Sequence, residues 1–370
     1  MNPNYTRSIV NISATLLNHY GIETPHVSLP EITEKLKDDY KHIVVMVLDG
    51  FGENLLHFLD ARSILKKHLV TTLTSTFPST TVAATTALLT AKTPYESGHL
   101  GWFQYVQPFG IHYTVFLEED YYTQNKDIPE ALKAQFAHNT FVDEIGLKCS
   151  NVTTKHFFPW PIDKKRGYRN ISDGLTQLNS HLKKHDETLS YFYSIEPDLT
   201  QHLQGTTHLK TEKIVKKLND TITAFYDDLC DDTLVIITAD HGLIDVEPIE
   251  ILNDKELVSM FDVYPAIEPR AATFFIKDNQ KAAFVKRFND KYGAYFELYT
   301  KARLLEMELL GFGTPHPLVE ASLGNYFAIA KSHYYFEFSK QKIHKAHHAG
   351  LSNAEMIVPL ILFSTKGGLQ

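Results

Sequence analysis

The sequence predicts an α/β fold with a mostly parallel central sheet flanked by helices. Continuous apolar runs bounded by turn residues recur at 42–50, 189–198, 233–242 and 356–363. Runs of this kind are typical of strands that are buried on both faces of a parallel sheet. An amphipathic helical pattern lies between the second and third runs, and its apolar stripe is formed by Ile214, Leu218, Ile222, Phe225 and Leu229. Strand and helix patterns therefore alternate, which indicates the α/β class.

The composition is that of a folded globular protein. The 370 residues are 43% hydrophobic and 22% charged, enough for one large domain with an insertion or for two domains. The 36 basic and 44 acidic residues give a net charge of -8 without long runs of one sign, so we expect no nucleic-acid groove. No window approaches the roughly 18 apolar residues of a membrane span, and we expect no membrane partner.

The N-terminal segment and the cysteines indicate the compartment. Residues 1–21 lack the uninterrupted apolar stretch of a signal peptide. Cys149 and Cys230 are too few for a disulfide framework and too far apart for a zinc-finger or redox pair. We therefore expect a cytoplasmic protein with reduced thiols.

Residues 250–338 show a different pattern from the rest of the chain. Short alternating strands, such as "AATFFIKD", are interleaved with two helical segments, one that carries Phe284 and Phe288 and ends at Gly293, and one at 301–310. We predict that 250–338 forms a small α+β cap insertion. The core of the fold then comprises 1–249 and 339–370.

Three of the apolar runs end on an acid. Asp49 ends the first run, Asp198 the second and Asp240 the third. In open α/β sheets, ligands bind beyond the carboxyl ends of the strands. A turn or a helix cap would explain each acid alone. Their shared position at strand ends instead predicts a functional edge of the sheet.

Histidines accompany these acids at spacings that suit metal ligands. Asp198 and His202 are four residues apart and face the same way if a helical turn follows the strand. His241 directly follows Asp240. The loop before the last strand offers three more candidates, His344, His347 and His348. Mixed carboxylate and imidazole donors suit zinc, with manganese or iron as alternatives, and six ligands suit two metal ions that share a substrate.

A threonine-rich segment at 71–94 supplies candidate nucleophiles. Its second half is rich in alanine and predicts a helix, which begins after Pro78 with the capping residues Ser79, Thr80 and Thr81. Backbone N–H groups and the helix dipole favour an anion at such a position. A threonine hydroxyl is a weak nucleophile, but coordination to a metal ion would activate it.

The ordered combination of these residues resembles the alkaline phosphatase superfamily and, within it, the nucleotide pyrophosphatase/phosphodiesterase family. In the family's order, the chain has "VLDG", a nucleophile at a helix start, "EPDLTQH", "ADHG" and a late "HAGL". The resemblance covers about 1–245 and 340–370. It implies an alkaline phosphatase-like fold and a two-zinc hydrolase. Such an enzyme cleaves phosphodiester or pyrophosphate bonds of small nucleotide-type phosphate esters through a covalent phospho-threonine.

The resemblance also implies two sets of metal ligands, one for each ion. The first set comprises Asp49, Asp240 and His241. The second set comprises Asp198, His202 and His348, with His347 as the alternative to His348.

The resemblance and a residue count together nominate the nucleophile. The sequence "TFPS" is similar to a phosphodiesterase motif and would nominate Thr76. In the superfamily, however, the nucleophile lies nine residues before the Thr of a turn that reads "TAKTP" here and begins at Thr90. The count gives Thr81, which also fits the helix start better. Thr80 and Thr76 are the alternatives.

The chain departs from the family pattern in one place. The phosphodiesterases carry an Asn shortly after this turn that holds a phosphoryl oxygen, whereas this chain has Trp102, with Gln104 as the nearest amide. A phosphomonoesterase or phosphonate hydrolase of the same superfamily is therefore an alternative. A non-catalytic zinc-binding scaffold is the alternative from another class. A serine hydrolase is disfavoured because Gly-x-Ser-x-Gly is absent.

Overall fold

The computed structural model describes residues 1–338 and 344–366. Within them the strands are, in chain order, β1 (His42–Leu48), β2 (Leu69–Thr74), β3 (Phe103–Val106), β4 (Ile111–Thr114), β5 (Glu119–Asp120), β6 (Thr153–Phe157), β7 (Thr188–Ser194), β8 (Thr233–Thr238), β9 (Ile244–Asp245), β10 (Glu247–Ile249), β11 (Phe261–Glu268), β12 (Ala271–Ile276), β13 (Phe296–Thr300), β14 (Tyr326–Ala330), β15 (Tyr334–Phe336), β16 (Ala346–His347) and β17 (Ile357–Ser364).

The α-helices of the same residues are α1 (Val10–His19), α2 (Pro30–Leu36), α3 (Ile64–Lys67), α4 (Thr81–Thr90), α5 (Pro94–Ser97), α6 (Glu130–Lys133), α7 (Phe141–Lys148), α8 (Ile171–Lys184), α9 (Asp198–Gln204), α10 (Leu209–Asp227), α11 (Lys255–Ser259), α12 (Lys281–Tyr292), α13 (Lys301–Glu306), α14 (Pro317–Ser322) and α15 (Asn353–Met356). Short 3-10 turns occur at Glu53–Phe58, Ala134–Phe136, Ile251–Asn253 and Asp278–Gln280. None of these helices combines the length and the apolar character needed to cross a membrane.

The central sheet has the strand order β2-β17-β8-β1-β7-β6. β1 pairs in parallel with both β7 and β8, and β6 pairs in parallel with β7, whereas β17 is antiparallel to its two neighbours. Every residue of β1, β7 and β8 is buried, which explains why these strands are continuous apolar runs in the sequence. The predicted mostly parallel sheet is confirmed.

Helices flank this sheet in two groups. α1 packs against α2, α4 and α7, while α10 packs against α3, α8 and α9. The amphipathic pattern at 209–229 forms α10, which buries Leu218, Ile222 and Phe225. Burial of this apolar stripe, rather than helix propensity alone, stabilises a helix on a sheet.

A second sheet is antiparallel and has the order β13-β14-β12-β11-β3-β4-β5. The segment 250–338 provides four of its strands, and α12 packs there through Phe284 and Phe288. The sheet continues into β3–β5 of residues 103–120, because β11 pairs with β3 at Ile267 and Phe103. The predicted cap segment is therefore part of a larger sheet. Its boundaries at 250 and 338 stay a prediction, and 339–343 and 367–370 of the predicted core lie outside the described residues.

A buried ion pair joins the second sheet to α15, the short helix that precedes β17 of the central sheet. Arg270 lies just before β12, and its Nε donates to Glu355 Oε1 of α15 at 2.7 Å while its Nη2 donates to Oε2 at 3.0 Å. Both side chains are almost fully buried. Glu355 Oε1 also accepts the N–H of Gly350 at 2.8 Å, two residues after His348. The pair therefore holds the loop that carries a candidate ligand.

Glu355→Gln should lower the free energy of unfolding by about 3 kcal/mol, because it leaves the Arg270 charge buried without a counter-charge. Urea unfolding followed by circular dichroism measures the change. Asp290→Asn is the matched control, since it breaks the exposed Lys286–Asp290 pair on α12 and should leave stability almost unchanged. Equal effects of the two substitutions would show that the buried pair has no special role.

Candidate active site

The strand-end acids converge at the carboxyl edge of the central sheet. Asp49 follows β1, and Asp198 begins α9 after β7. The backbone connects them, since Asp49 N–H donates to Ser194 O and Asp198 N–H donates to Asp49 O, both at 2.9 Å. Gly50 adopts a φ of +70°, and a Cβ there would lie 2.8 Å from Asp198 Cβ. Glycine at this position therefore permits the close approach of the two acids.

The first predicted ligand set is assembled by this edge. His241 Nε2 lies 3.5 Å from Asp49 Oδ1 and 3.6 Å from Asp240 Oδ2. Asp240 Oδ1 accepts the N–H groups of Gly50 at 3.1 Å and of His241 at 3.0 Å, which turns Oδ2 toward the imidazole. The hydroxyl of Tyr193 donates to Asp49 Oδ2 and leaves Oδ1 for the same position. Three donor atoms therefore face a common point.

The second predicted set lies beside it. Asp198 and His202 are one helical turn apart on α9, with Asp198 Oδ1 at 3.3 Å from His202 Nε2. His202 Nδ1 lies 2.8 Å from Ala346 O, so the tautomer that donates there leaves the Nε2 lone pair directed at Asp198. His348 supplies the third donor, within 4.8 Å of the other two. His347 and His344 line the same cavity but are outside this group.

The two sets leave buried polar atoms without a partner in the described part of the chain. These atoms are Asp49 Oδ1, Asp198 Oδ1, Asp240 Oδ2 and His348 Nδ1. Unpartnered buried polar atoms are costly and need an explanation. A divalent cation in each set would satisfy all four, and carboxylate–imidazole donor sets suit zinc. The residues present therefore fit a metal centre.

The buried carboxylates of the site lie close together, so a positive charge between them would stabilise their ionised forms. Burial, together with the nearby carboxylates of Asp240 and Asp198, raises the pKa of Asp49 well above its usual value. Burial also raises the pKa of Asp240. Burial acts in the same direction on Asp198, but His202 outweighs it and the pKa of Asp198 is lowered. Burial and the neighbouring imidazoles lower the pKa of His348 well below its usual value, which keeps it neutral as a ligand must be.

Thr81 is placed at the junction of the helix start and the first set. It is the first residue of α4, and its Oγ1 lies 3.1 Å from His241 Nε2. Thr80 is turned away, since its hydroxyl donates to Glu268 Oε1 at 2.6 Å. Thr76 is fully buried and does not line the cavity. Of the three threonines considered, Thr81 is the one that faces both the candidate ligands and the cavity.

A cavity of about 590 Å³ opens in front of Thr81. Its walls are aromatic and acidic, and they include Trp102, Phe103, Tyr121, Glu268, Tyr335 and Glu337. In the part of the chain that the structure describes, none of its lining residues is a lysine or an arginine. A larger cavity of about 940 Å³ on the second sheet contains none of the candidate site residues. The first cavity is therefore the candidate substrate site.

No sequence pattern points to Glu268 or Tyr193 as site residues. Glu268 ends β11 of the second sheet, and Oε1 accepts both the Thr80 hydroxyl and the Trp102 N–H at 2.6 Å. Tyr193 lies within an apolar run, where its hydroxyl was indistinguishable from core packing. Gln104, the amide nearest in sequence to the missing family Asn, is buried and occupied, since its amide donates to Gly98 O and Ser322 Oγ. It does not line the cavity.

Glu268→Gln should flatten the pH dependence of stability. Burial raises the pKa of Glu268 from 4.5 to about 7, although the Thr80 hydroxyl and the Trp102 N–H oppose this. Between these values the folded protein binds a proton that the unfolded chain has lost, so stability falls as pH rises through this window, by about 3 kcal/mol in total.

The measurement is urea unfolding at pH 5 and about pH 7.5 with chelator present. The difference in stability between parent and Gln variant should grow in favour of the variant between these two pH values. The other titrating groups, such as Asp49 and Asp240 with raised pKa values and His347 and His348 with lowered ones, contribute to both proteins alike. Equal slopes for parent and variant would mean that Glu268 is ionised throughout.

The parallel sheet, the carboxylate–imidazole sets at its edge and the hydroxyl at a helix start define a class, that of an α/β enzyme with candidate metal-ion sites and a candidate nucleophile. A family model described as type I phosphodiesterase/nucleotide pyrophosphatase matches residues 43–349. The chain belongs to this family and is a hydrolase, as the order of its motifs predicted. A comparison with curated proteins found no significant match.

Solved structures share the fold at low sequence identity. Human ectonucleotide pyrophosphatase/phosphodiesterase 5 superposes with a TM-score of 0.66 at 13% identity, over 87% of this chain and 88% of the other. The murine protein gives 0.64 at 15% identity, over 86% and 87% of the two chains. An inactive variant of the murine protein in complex with AMP gives 0.65 at 14% identity with the same coverage. The predicted α/β fold, with a mostly parallel sheet flanked by helices, is shared with these structures.

Proposed function

We propose that this hydrolase cleaves phosphodiester or pyrophosphate bonds of nucleotide-type substrates through a covalent phospho-threonine at Thr81. The observation that carries the proposal is the position of Thr81 Oγ1, 3.1 Å from His241 Nε2 and at the mouth of the cavity. Family membership supports phosphodiester hydrolysis. The covalent step at Thr81 is the finer part of the proposal.

Two divalent metal ions are part of the proposal, with zinc preferred and manganese as the alternative. Asp49, Asp240 and His241 would hold one ion. Asp198, His202 and His348 would hold the other. Bound ions of this kind lower the pKa of a coordinated hydroxyl or water and offset charge on the reacting phosphate.

The protein itself positions these groups. Tyr193 fixes Asp49, the carbonyl of Ala346 fixes His202, and two backbone N–H groups fix Asp240. Thr81 Oγ attacks phosphorus as its proton is lost to solvent, and the bond from phosphorus to the leaving oxygen breaks. A water then attacks phosphorus, the bond from phosphorus to Thr81 Oγ breaks, and Oγ takes up a proton again. Two displacements give net retention of configuration at phosphorus.

The cavity supports a diester over a monoester. Among the described residues that line it, Glu268 and Glu337 lie outside the ligand sets, and none is a lysine or an arginine. A diester has one negative charge near neutral pH and a monoester about two, so the monoester meets stronger repulsion. Trp102 and Tyr121 offer faces on which a base could stack. The complex of the murine relative with AMP supports a nucleotide-type substrate.

The test compares hydrolysis of bis(p-nitrophenyl) phosphate and p-nitrophenyl phosphate by the zinc-loaded protein. Faster cleavage of the diester is the expected result. Preferred cleavage of the monoester would move the assignment to a phosphomonoesterase. Bound zinc without activity on either ester would support the non-catalytic scaffold.

The two free cysteines, Cys149 and Cys230, support our further proposal of a cytoplasmic location.

A further inference from the structure

A surface loop at residues 158–170 presents apolar side chains to solvent, and we call it the Trp160 loop. Trp160 is 62% exposed and Ile162 is 52% exposed. Tryptophan is highly buried on average in folded proteins, so a tryptophan that exposes most of its surface stands out. Neighbouring large apolar side chains on a surface commonly mark an interaction site.

The same loop is strongly basic. Four exposed basic residues lie within it, Lys164, Lys165, Arg166 and Arg169. In the part of the chain that the structure describes, Asp163 and Asp173 are near them, but these carboxylates accept the backbone N–H groups of Lys165, Arg166 and Arg169 rather than their side-chain N–H groups. The whole chain carries a net charge of -8, so the sign of the charge on this loop is opposite to that of the chain. The loop therefore fits a partner that is negatively charged.

A groove beside the loop extends the positive charge. It has a volume of about 880 Å³, and its lining includes Lys155, Arg166 and Lys184. Asp163 is the single carboxylate among its lining residues, and its Oδ1 already accepts the N–H groups of Lys165 and Arg166 at 2.9 Å. The described residues that line the cavity in front of Thr81, by contrast, include histidines but neither lysine nor arginine. The two cavities thus suit different ligands.

The Trp160 loop is held in place by the protein core. Trp160 N–H donates to Tyr168 O at 2.9 Å, and Tyr168 N–H donates to Phe158 O at 3.1 Å. Tyr168 is buried and stacks on Phe192 with ring centroids 5.0 Å apart. Binding would therefore order few further backbone residues, which lowers its entropic cost.

We propose that the Trp160 loop binds the surface of an anionic lipid bilayer. Tryptophan is favoured at the boundary between lipid and water, and Ile162 would enter the same layer. Each Lys or Arg near an anionic surface strengthens binding about fivefold. Surface binding needs no spanning helix, and this proposal replaces the expectation of no membrane partner, which rested on the absence of a spanning segment in the sequence.

The position of the loop gives the bound protein an orientation. The loop follows β6, which runs parallel to β7 and β1, so it lies at the edge of the sheet that carries Asp49 and Asp198. The helix that holds Asp198 also exposes Leu199 and Leu203. Binding through the loop would turn this edge, with the candidate active site, toward the lipid.

The test uses the full chain and vesicles of phosphatidylcholine alone or mixed equally with phosphatidylglycerol. Flotation should recover the protein with the mixed vesicles and not with phosphatidylcholine, and high salt should release it. In a Trp102→Phe background Trp160 is the remaining tryptophan, and its emission should shift to the blue on binding. No binding, equal binding to both vesicles or an unshifted emission would overturn the proposal.

Paired variants locate the binding surface. Lys164→Gln with Lys165→Gln should weaken binding to the mixed vesicles by about twentyfold or more. The matched control, Lys210→Gln with Lys213→Gln on α10, removes two exposed charges elsewhere and should leave binding unchanged. Trp160→Ser should also abolish binding, whereas Leu147→Ser, at an 81% exposed position, should not.

The loop variants and their controls are made without the Trp102→Phe substitution, and their circular dichroism spectra and urea midpoints should match those of the parent, which shows that they are folded. Loss of binding in the control variants, or its retention in the loop variants, would place the contact outside the loop. Binding to vesicles does not depend on catalysis, so this experiment tests the membrane proposal independently of the proposed function.

Discussion

Thr81→Ala should reduce hydrolysis of bis(p-nitrophenyl) phosphate by about a thousandfold or more, because it removes the atom that attacks phosphorus. The substitution deletes a hydroxyl whose contact is His241 Nε2 and leaves the candidate ligands intact. Metal content, measured by mass spectrometry, should therefore equal that of the parent. A loss of activity with unchanged metal separates the role of a nucleophile from that of a ligand.

The alternatives to Thr81 serve as matched controls. Thr80→Ala and Thr76→Ala remove hydroxyls from the same segment, one bonded to Glu268 and one without a partner in the described part of the chain. Both variants should retain more activity than Thr81→Ala. Thr81→Ser should keep part of the activity because it preserves the hydroxyl. If Thr76→Ala is the inactive variant, the assignment of the nucleophile by counting is wrong.

Asp240→Asn should have effects of opposite sign on the metal-free and the metal-loaded protein. Without metal, the substitution removes a buried charge that raises the pKa of Asp49, so Tm should rise. The Asn oxygen can still accept the N–H groups of Gly50 and His241, which keeps the local structure. With zinc present, each bound ion should add about 4 kcal/mol at a free concentration a thousand times its Kd, and the variant should lose most of the gain from the ion held by Asp49, Asp240 and His241.

Thermal unfolding with zinc and with chelator measures both effects. Turnover should fall by about a thousandfold or more in the same variant. Asp220→Asn, at an exposed position of α10, removes one negative charge far from the site and should change neither quantity. Equal zinc-induced gains in Tm for Asp240→Asn and the parent would exclude Asp240 as a ligand.

The sequence by itself determined the central sheet and the candidate site at its edge. Apolar runs predict strands that are buried on both faces, and Asp49 and Asp240 follow two such strands, so their meeting at one edge follows from parallel pairing. The Asp198 and His202 spacing similarly fixes two side chains on one helical turn. These features are local patterns, whose period and order can be read without long-range contacts.

Only the tertiary structure decided which residues surround the candidate nucleophile. Glu268 reaches the cavity because β11 pairs with β3 across more than 160 residues of sequence, and neither strand carries a motif that specifies this partner. Gln104 turns away because its amide bonds to Gly98 and Ser322. The positions of Glu268 and Gln104 depend on packing against segments that are distant in sequence. Which segments pack together cannot be read from the hydrophobic period of either one.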